Sequence, residues 1–481
     1  MNFRRHYSSL ILPATAVFAF LWAVTRACVQ SITIDEADTY LMFVAPSGPY
    51  HWGASSNNHV LNSLLMRLFT SVFGVSHLSV RAPALLGAAI YIGAAYLICR
   101  KLSPVPHLQW PVFVCLVYNP FIFDYLVAAR GYALALGFLM CIFAVAAYMR
   151  LDATACAMCS ICAALSFAAS FSFAFVNTFV MLAILAWACA HTGELRVQIQ
   201  LLGACVLPGL LVSIFLTLPA VLNWSKGQMT YGAHSLGEMF ATVADSSLCR
   251  LNSQIVNPVL YRPLETLQPW LLPVLLALSA WQWVRRRPAI SGALLIILTA
   301  TIGAHWLLFK LFHVPLPMER TAIWIVPLCV LSIGAAAEKR RALTAMLYVM
   351  SFYFVLSLRL DYFREWSWDQ DVNKIYPLLA WYNHTYGVRE VGTNWRFVAA
   401  LNFYRAQSGR ESIEEFRAVA HIPTDRPVYV LYWEQDEQLI QQLHLHVVYR
   451  SPNTQAVVAV RPEAEAEWGS AAKTATPTRF R

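Results

Sequence analysis

Charge is scarce in this 481-residue chain: Asp, Glu, Lys and Arg make up 13%, against 58% hydrophobic residues, and mean hydropathy is +0.52. A soluble chain of this length needs a charged surface, so the scarcity points to an integral membrane protein. Neither a Gly-rich phosphate loop nor a dinucleotide fingerprint is found, which removes the common nucleotide-binding signatures. No convincing A-x-A cleavage site follows the first apolar run, Leu10 to Val29, so that run reads as a retained span. A disulfide framework is missing too: nearly all of the eleven cysteines lie in apolar runs, and only Cys249 sits well within a polar loop. Cys156, Cys159 and Cys162 have metal-like spacing, but small polarisable residues in a lipid span serve packing, and no chemistry is assigned to them. An inverted internal repeat of the transporter kind is also absent.

What the chain has instead is a series of apolar runs. Each crossing needs roughly twenty apolar residues. Candidates lie at residues 10–29, 80–99, 108–125, 131–149, 153–170, 173–190, 197–221, 269–284, 289–309, 321–337 and 342–358. The expected fold class is therefore an all-α polytopic membrane protein with about 11 transmembrane helices and a small C-terminal extracytoplasmic α/β domain. The net charge of +9 comes from short clusters between these runs, which argues for orientation signals and against nucleic acid. Arg4 and Arg5, Arg100 and Lys101, Arg150, Arg196, Arg285 to Arg287, and Lys339 to Arg341 all fall on the side of the amino terminus. By the positive-inside rule that side is cytoplasmic.

The opposite side receives the long polar segments: residues 30–79, a short loop at 126–130, residues 222–268, the loop "KLFHVPLPMER", and everything after 359. This gives a transmembrane domain over 1–359 with its outer loop at 30–79, an α/β domain at 360–462, and a disordered tail at 463–481. Within the outer loop, residues 59–74 are apolar but too short to cross and carry Arg67, as an interfacial or re-entrant helix would. Strand-like runs in the C-terminal domain are "RPVYVLYWE" and "AVVAVR", and "NWRFVAALNFYRAQSG" looks helical.

The stretch "SITIDEADTY" puts Asp35, Glu36 and Asp38 directly after the first span. One reading is a capping box, with Thr33 as N-cap and Glu36 at N3, and acids favoured by the helix dipole. The other is chemistry: the same environment favours an ionised carboxylate, and Asp35 and Asp38 share a helix face, so a base can stand at the outer membrane edge. Both stand on the residues alone. Further polar residues at membrane depth weigh toward chemistry: Asn57, Asn58 and His59; Asp124, Arg130 and Tyr132; and Lys310, His313, Glu319 and Arg320. For Arg130 and Arg320 the plainer alternative is snorkelling or an ordinary ion pair.

The order of these features resembles the membrane glycosyltransferases of the GT-C type, in particular the group of dolichyl-phosphate-mannose protein mannosyltransferases and aminoarabinose transferases (glycosyltransferase family 39-like). The shared motifs are Asp35-Glu36 after the first span; "NHVLN…LLMRLF…FG" followed by "SVRAPALLG" with Arg81 and Pro83; "AARGYAL" at Ala128 to Leu134; and "PMERTAIWIVPL" near the last spans. The segment before His59 departs from it, reading "SSNN" where many relatives have a Lys-Pro-Pro-like stretch, so a phosphate-binding lysine there is missing.

The resemblance implies transfer of a sugar from a polyprenyl-phosphate carrier to an extracytoplasmic glycan, lipid or protein acceptor. In that scheme Asp35 is the base of an inverting displacement, with Glu36 as the alternative base or an orienting group. Asp38, Asn58, His59, Asp124, Arg130, Tyr132, Lys310, His313, Glu319 and Arg320 bind substrate, with Arg130, Lys310 and Arg320 as the cations for the departing phosphate. No cofactor is expected. Asp35, Glu36, His59 and His313 offer donors suited to magnesium or manganese, but relatives often work without metal. The expected location is a bacterial inner membrane with the site facing outward. The rival classes are a secondary transporter, which the one-sided polar mass disfavours; a lipid-linked glycan polymerase or ligase, which would depend on loop arginines; and a non-catalytic scaffold.

Overall fold

The computed structural model describes residues 2–102, 106–224, 230–249, 258–286, 289–337, 340–409 and 412–474. Arg287 and Lys339 of the basic clusters, and residues 475–481 of the tail, lie outside them. The protein is an integral membrane protein, mostly helical, with one small sheet near its C-terminus.

Among the described residues, five helices are long and apolar enough to cross a membrane: Leu10–Val29, His77–Leu102, Phe171–Ala190, Leu195–Leu222 and Ile290–Phe312. A sixth crossing is formed if His107–Val117 and Pro120–Val127, bent by 59° at their junction, count as one. The bend has a local cause. Asn119 caps the second helix by accepting from the backbone N–H groups of Phe121 and Ile122, and Pro120 opens it where a missing N–H costs nothing. The other five expected crossings fall on shorter apolar helices: Tyr132–Tyr148, Ala153–Ala169, Thr266–Leu278, Ile325–Ala337 and Arg341–Leu356. Thr266–Leu278 belongs to the longer helix Pro258–Arg286, and length and composition alone mark up to six crossings among the described residues. The segment after His59 forms the 14-residue helix Val60–Phe73.

Contacts divide the chain into two compact units. The helical unit comprises Met1–Ala27, Gly48–Phe69 and Arg81–Arg359, and the mixed unit Cys28–Ser47, Thr70–Val80 and Leu360–Arg481. The acidic turn after the first span therefore groups with the C-terminal residues.

In the mixed unit, strands β1 (Val391–Thr393), β2 (Val428–Tyr432), β3 (His446–Arg450) and β4 (Ala456–Val460) form a sheet in the order β1-β2-β4-β3. β1 runs parallel to β2, whereas β2 with β4 and β4 with β3 are antiparallel. The central strands are rich in valine and buried along nearly their whole length, as expected where helices cover a sheet. Tyr429, Leu431, Val457 and Ala459 make the core of one face with Ile440 and Leu445. The helix Trp395–Ser408 begins at Asn394, whose side chain accepts from the Arg396 N–H, and ends at Gly409 in the left-handed region (φ 58°). Residues 463–474, expected to be disordered, instead belong to the helix Pro462–Thr474, whose first turn carries Glu463 and Glu465.

Candidate active site

The acidic turn is the six-residue helix Ile34–Thr39. Its capping box is present: the Thr33 hydroxyl accepts from the Glu36 N–H (3.2 Å), and a Glu36 carboxylate oxygen accepts from the Thr33 N–H (2.9 Å). Glu36 is fully buried in this role, while Asp35 and Asp38 are half-buried. Of the two candidate bases, Asp35 is thus the one not engaged in the capping box.

The turn is fixed to the rest of the mixed unit by backbone donors. The Ile34 N–H donates to Asp369 Oδ2 (2.8 Å), and the Ile32 N–H donates to the Tyr404 hydroxyl (3.1 Å), which also meets Ser31 Oγ at 3.2 Å. Tyr40, in the π-helical turn Tyr40–Val44, sets its ring edge-on to Phe403 (5.5 Å between centroids). Asp369 is buried, and its Oδ1 has no hydrogen-bond partner among the described residues. Burial pushes its pKa well above the ordinary carboxylate range. The Ile34 N–H opposes the rise, and the nearby Asp35, Glu36 and Asp38 add to it. Asp369 is therefore the carboxyl shifted toward its protonated form. Sequence reasoning missed Asp369 and Tyr404, because separations of 335 and 372 residues leave no local pattern.

In the helical unit a second cluster forms around the turn Ala128–Tyr132. Gly131 has φ 63°, and a Cβ there would stand 2.3 Å from the Ala169 carbonyl oxygen and 2.8 Å from His59 Nδ1, so no other residue fits. The turn buries Arg130, which donates to Asn57 Oδ1, and brings Tyr132 edge-on to His59 (4.9 Å) and to Tyr125 (4.9 Å). His59 Nδ1 lies 2.7 Å from the Ala169 carbonyl oxygen. Burial first, then the Arg130 guanidinium, holds its pKa well below the usual histidine range. A neutral ring facing a carbonyl must carry its proton on Nδ1, which leaves Nε2 as an acceptor.

Arg320 reaches the same neighbourhood: its charge acts on His59, and its guanidinium stacks over the Tyr231 ring at 4.7 Å. The Tyr231 hydroxyl donates to Glu319 Oε2 at 2.5 Å. Glu319 has a left-handed backbone (φ 45°), uncommon for a residue with a side chain and frequent at functional sites. Tyr231 was not singled out from the sequence.

Other candidates have different surroundings. Both oxygens of Asp124 are taken by arginines, Arg26 at 2.7 Å and Arg359 closer still, so this buried carboxylate balances charge among helices. Asn58 uses its amide on the carbonyls of His51 and Gly53 (both 2.9 Å) and accepts from Ser63, which makes it a loop anchor. The Lys310 ammonium lies over the Phe309 and Trp306 rings of its own helix (5.6 and 6.0 Å), the snorkelling arrangement. His313 is exposed just past that helix. Among the described residues no three His, Cys, Asp or Glu side chains converge into a set able to hold a metal ion.

This chain has the fold of the GT-C type membrane glycosyltransferases. Its structure is similar to the crystal structure of ArnT from Cupriavidus metallidurans bound to undecaprenyl phosphate, with a TM-score of 0.54 and 12% identity over 94% of this chain and 98% of that one. ArnT from the same organism in the apo state matches with a TM-score of 0.51 and 11% identity, over 98% and 99% of the two chains. No protein-family model and no curated protein sequence matches it.

Proposed function

We propose that the protein transfers a sugar from a polyprenyl-phosphate carrier to an acceptor on the extracytoplasmic face of a membrane. The observation that carries this reading is the likeness, over nearly the whole chain, to ArnT bound to undecaprenyl phosphate. The acidic turn and the cations Arg130 and Arg320 supply the groups that such a reaction requires.

Asp35 is the base. Its carboxylate takes the proton of the acceptor hydroxyl or amine as that atom bonds to the anomeric carbon. The bond between that carbon and the phosphate oxygen breaks, the lipid phosphate leaves as a dianion, and the configuration inverts. General base catalysis of this kind contributes about 10²–10⁴-fold. Arg130 and Arg320 offset the charge that develops on the phosphate, and charge-assisted hydrogen bonds from guanidinium suit it. Neutral His59 and Tyr132 serve as hydrogen-bonding groups for the sugar. Asp369 is a positioning residue: it holds the Ile34 N–H beside Asp35.

The shorter apolar helices complete the crossings in this reading, giving eleven in total. That odd count puts the amino terminus in the cytoplasm and the C-terminal residues outside a bacterial inner membrane. Purified protein incubated with a panel of polyprenyl-phosphate sugars should consume at least one of them. Consumption of none would end the proposal.

A further inference from the structure

A cavity of about 340 Å³ opens in the mixed unit, and nothing in the mechanism above uses it. Its walls include Trp368, Tyr432, Arg450, Asn453, Thr454 and Gln455. The volume lies in the ~300–1,000 Å³ range of small-molecule sites, but such sites are mostly apolar, whereas this wall is largely hydroxyl, amide and guanidinium. Two aromatic rings stand among those groups. Rings for the apolar faces of a pyranose, with donors and acceptors for its hydroxyls, form a wall matched to sugar and mismatched to a lipid chain.

The cavity is also built to keep its shape. Ser451 donates to the fully buried Asp371 and accepts from the backbone N–H groups of Asn453 (3.3 Å) and Thr454 (3.0 Å), which fixes the β3–β4 turn. Across it, the Trp368 ring forms part of the wall. The charge in the wall has one sign. Arg450 lines the cavity, braced over the Trp433 ring at 4.2 Å, and Arg396 lies over the Tyr432 ring at 4.4 Å, while no carboxylate is among the described lining residues.

One short segment joins this cavity to the acidic turn. The 3₁₀ turn Ser367–Asp371 gives Ser367 and Trp368 to the cavity wall, Asp371 to Ser451, and Asp369 to the Ile34 N–H beside Asp35. From the polar wall, its arginine and this connection, we infer that the cavity binds an anionic saccharide of the acceptor, one bearing phosphate or carboxylate. The word "acceptor" rests on the transferase reading; the saccharide site does not.

Binding to the full-length protein in lipid nanodiscs, followed by calorimetry, tests the site directly. The probes are short oligosaccharides, neutral or carrying phosphate or carboxylate. At least one anionic probe should bind, and Arg450→Gln should weaken it about tenfold, the scale of a lost charge-assisted hydrogen bond. Trp368→Ala, which removes a ring from the wall, should weaken it about fivefold. Asn453→Ala, on an exposed loop position, gives a third reading that does not depend on the packing of Trp368. Neutral probes binding as tightly as anionic ones, or binding indifferent to all three substitutions, would overturn the assignment, as would no saccharide binding. Donor consumption by the wild-type protein, measured separately and without acceptor, reports on the transferase reading alone.

Discussion

Two buried carboxyl groups, one in each unit, solve the same problem in opposite ways. Asp124, among the helices, is held between Arg26 and Arg359. Asp369, in the mixed unit, has a single backbone N–H on one oxygen and three other acids within electrostatic reach. The first is paired with cations; burial and the neighbouring acids shift the second toward its protonated form. The contrast separates acids that hold the membrane helices together from acids gathered at the turn that carries Asp35.

The sharpest way to test that separation is to remove each charge in turn. Asp35→Asn should cut transfer by about 10²–10⁴-fold with the protein still inserted and thermally unchanged; an equal loss of stability would merge the two kinds of acid. Asp124→Ala should do the reverse, costing about 3–5 kcal/mol because two guanidiniums lose their counter-charge. Thermal unfolding in detergent measures this, and a wild-type midpoint would remove the structural role assigned to Asp124.

Arg130→Ala and Arg320→Ala sharpen the comparison from the cationic side. Each should raise the donor concentration needed for half-maximal rate by about ten- to a hundredfold. Equal loss of both variants from the membrane would instead make them structural pairs like those of Asp124.

The smallest effect concerns Asp369. Its folded pKa is raised, so the folded state binds the proton more tightly than the unfolded chain. Stability should therefore fall as pH rises from about 4, the unfolded carboxylate value, through the raised folded value. Asp369→Asn keeps an oxygen for the Ile34 N–H and removes the ionisation, so denaturation midpoints across pH should lose that decline. A variant with an unchanged pH dependence would show that Asp369 does not set it.

Much of the arrangement was legible in the sequence where the cause is local. The Thr33–Glu36 box, the strands at "VYVLY" and "AVVAV" and the helix after Asn394 all follow from spacing and caps. His59, Arg130, Tyr132 and Arg320 also lie near one another, but the sequence shows them only in three separate polar stretches. The crossings are less legible, because apolar runs show hydrophobicity but not where a helix breaks, as at Asn119-Pro120. Roles that depend on distant partners stayed hidden: Arg26 and Arg359 meet Asp124 across 98 and 235 residues, and Asp369 meets the acidic turn across 335.

The most direct test is a rate comparison in nanodiscs between the wild-type protein and Asp35→Asn, using a donor that the wild type consumes and measuring donor binding alongside. The account predicts that the variant binds the lipid-linked sugar as before and transfers it at least about a hundredfold more slowly. Transfer at the wild-type rate by Asp35→Asn would contradict it.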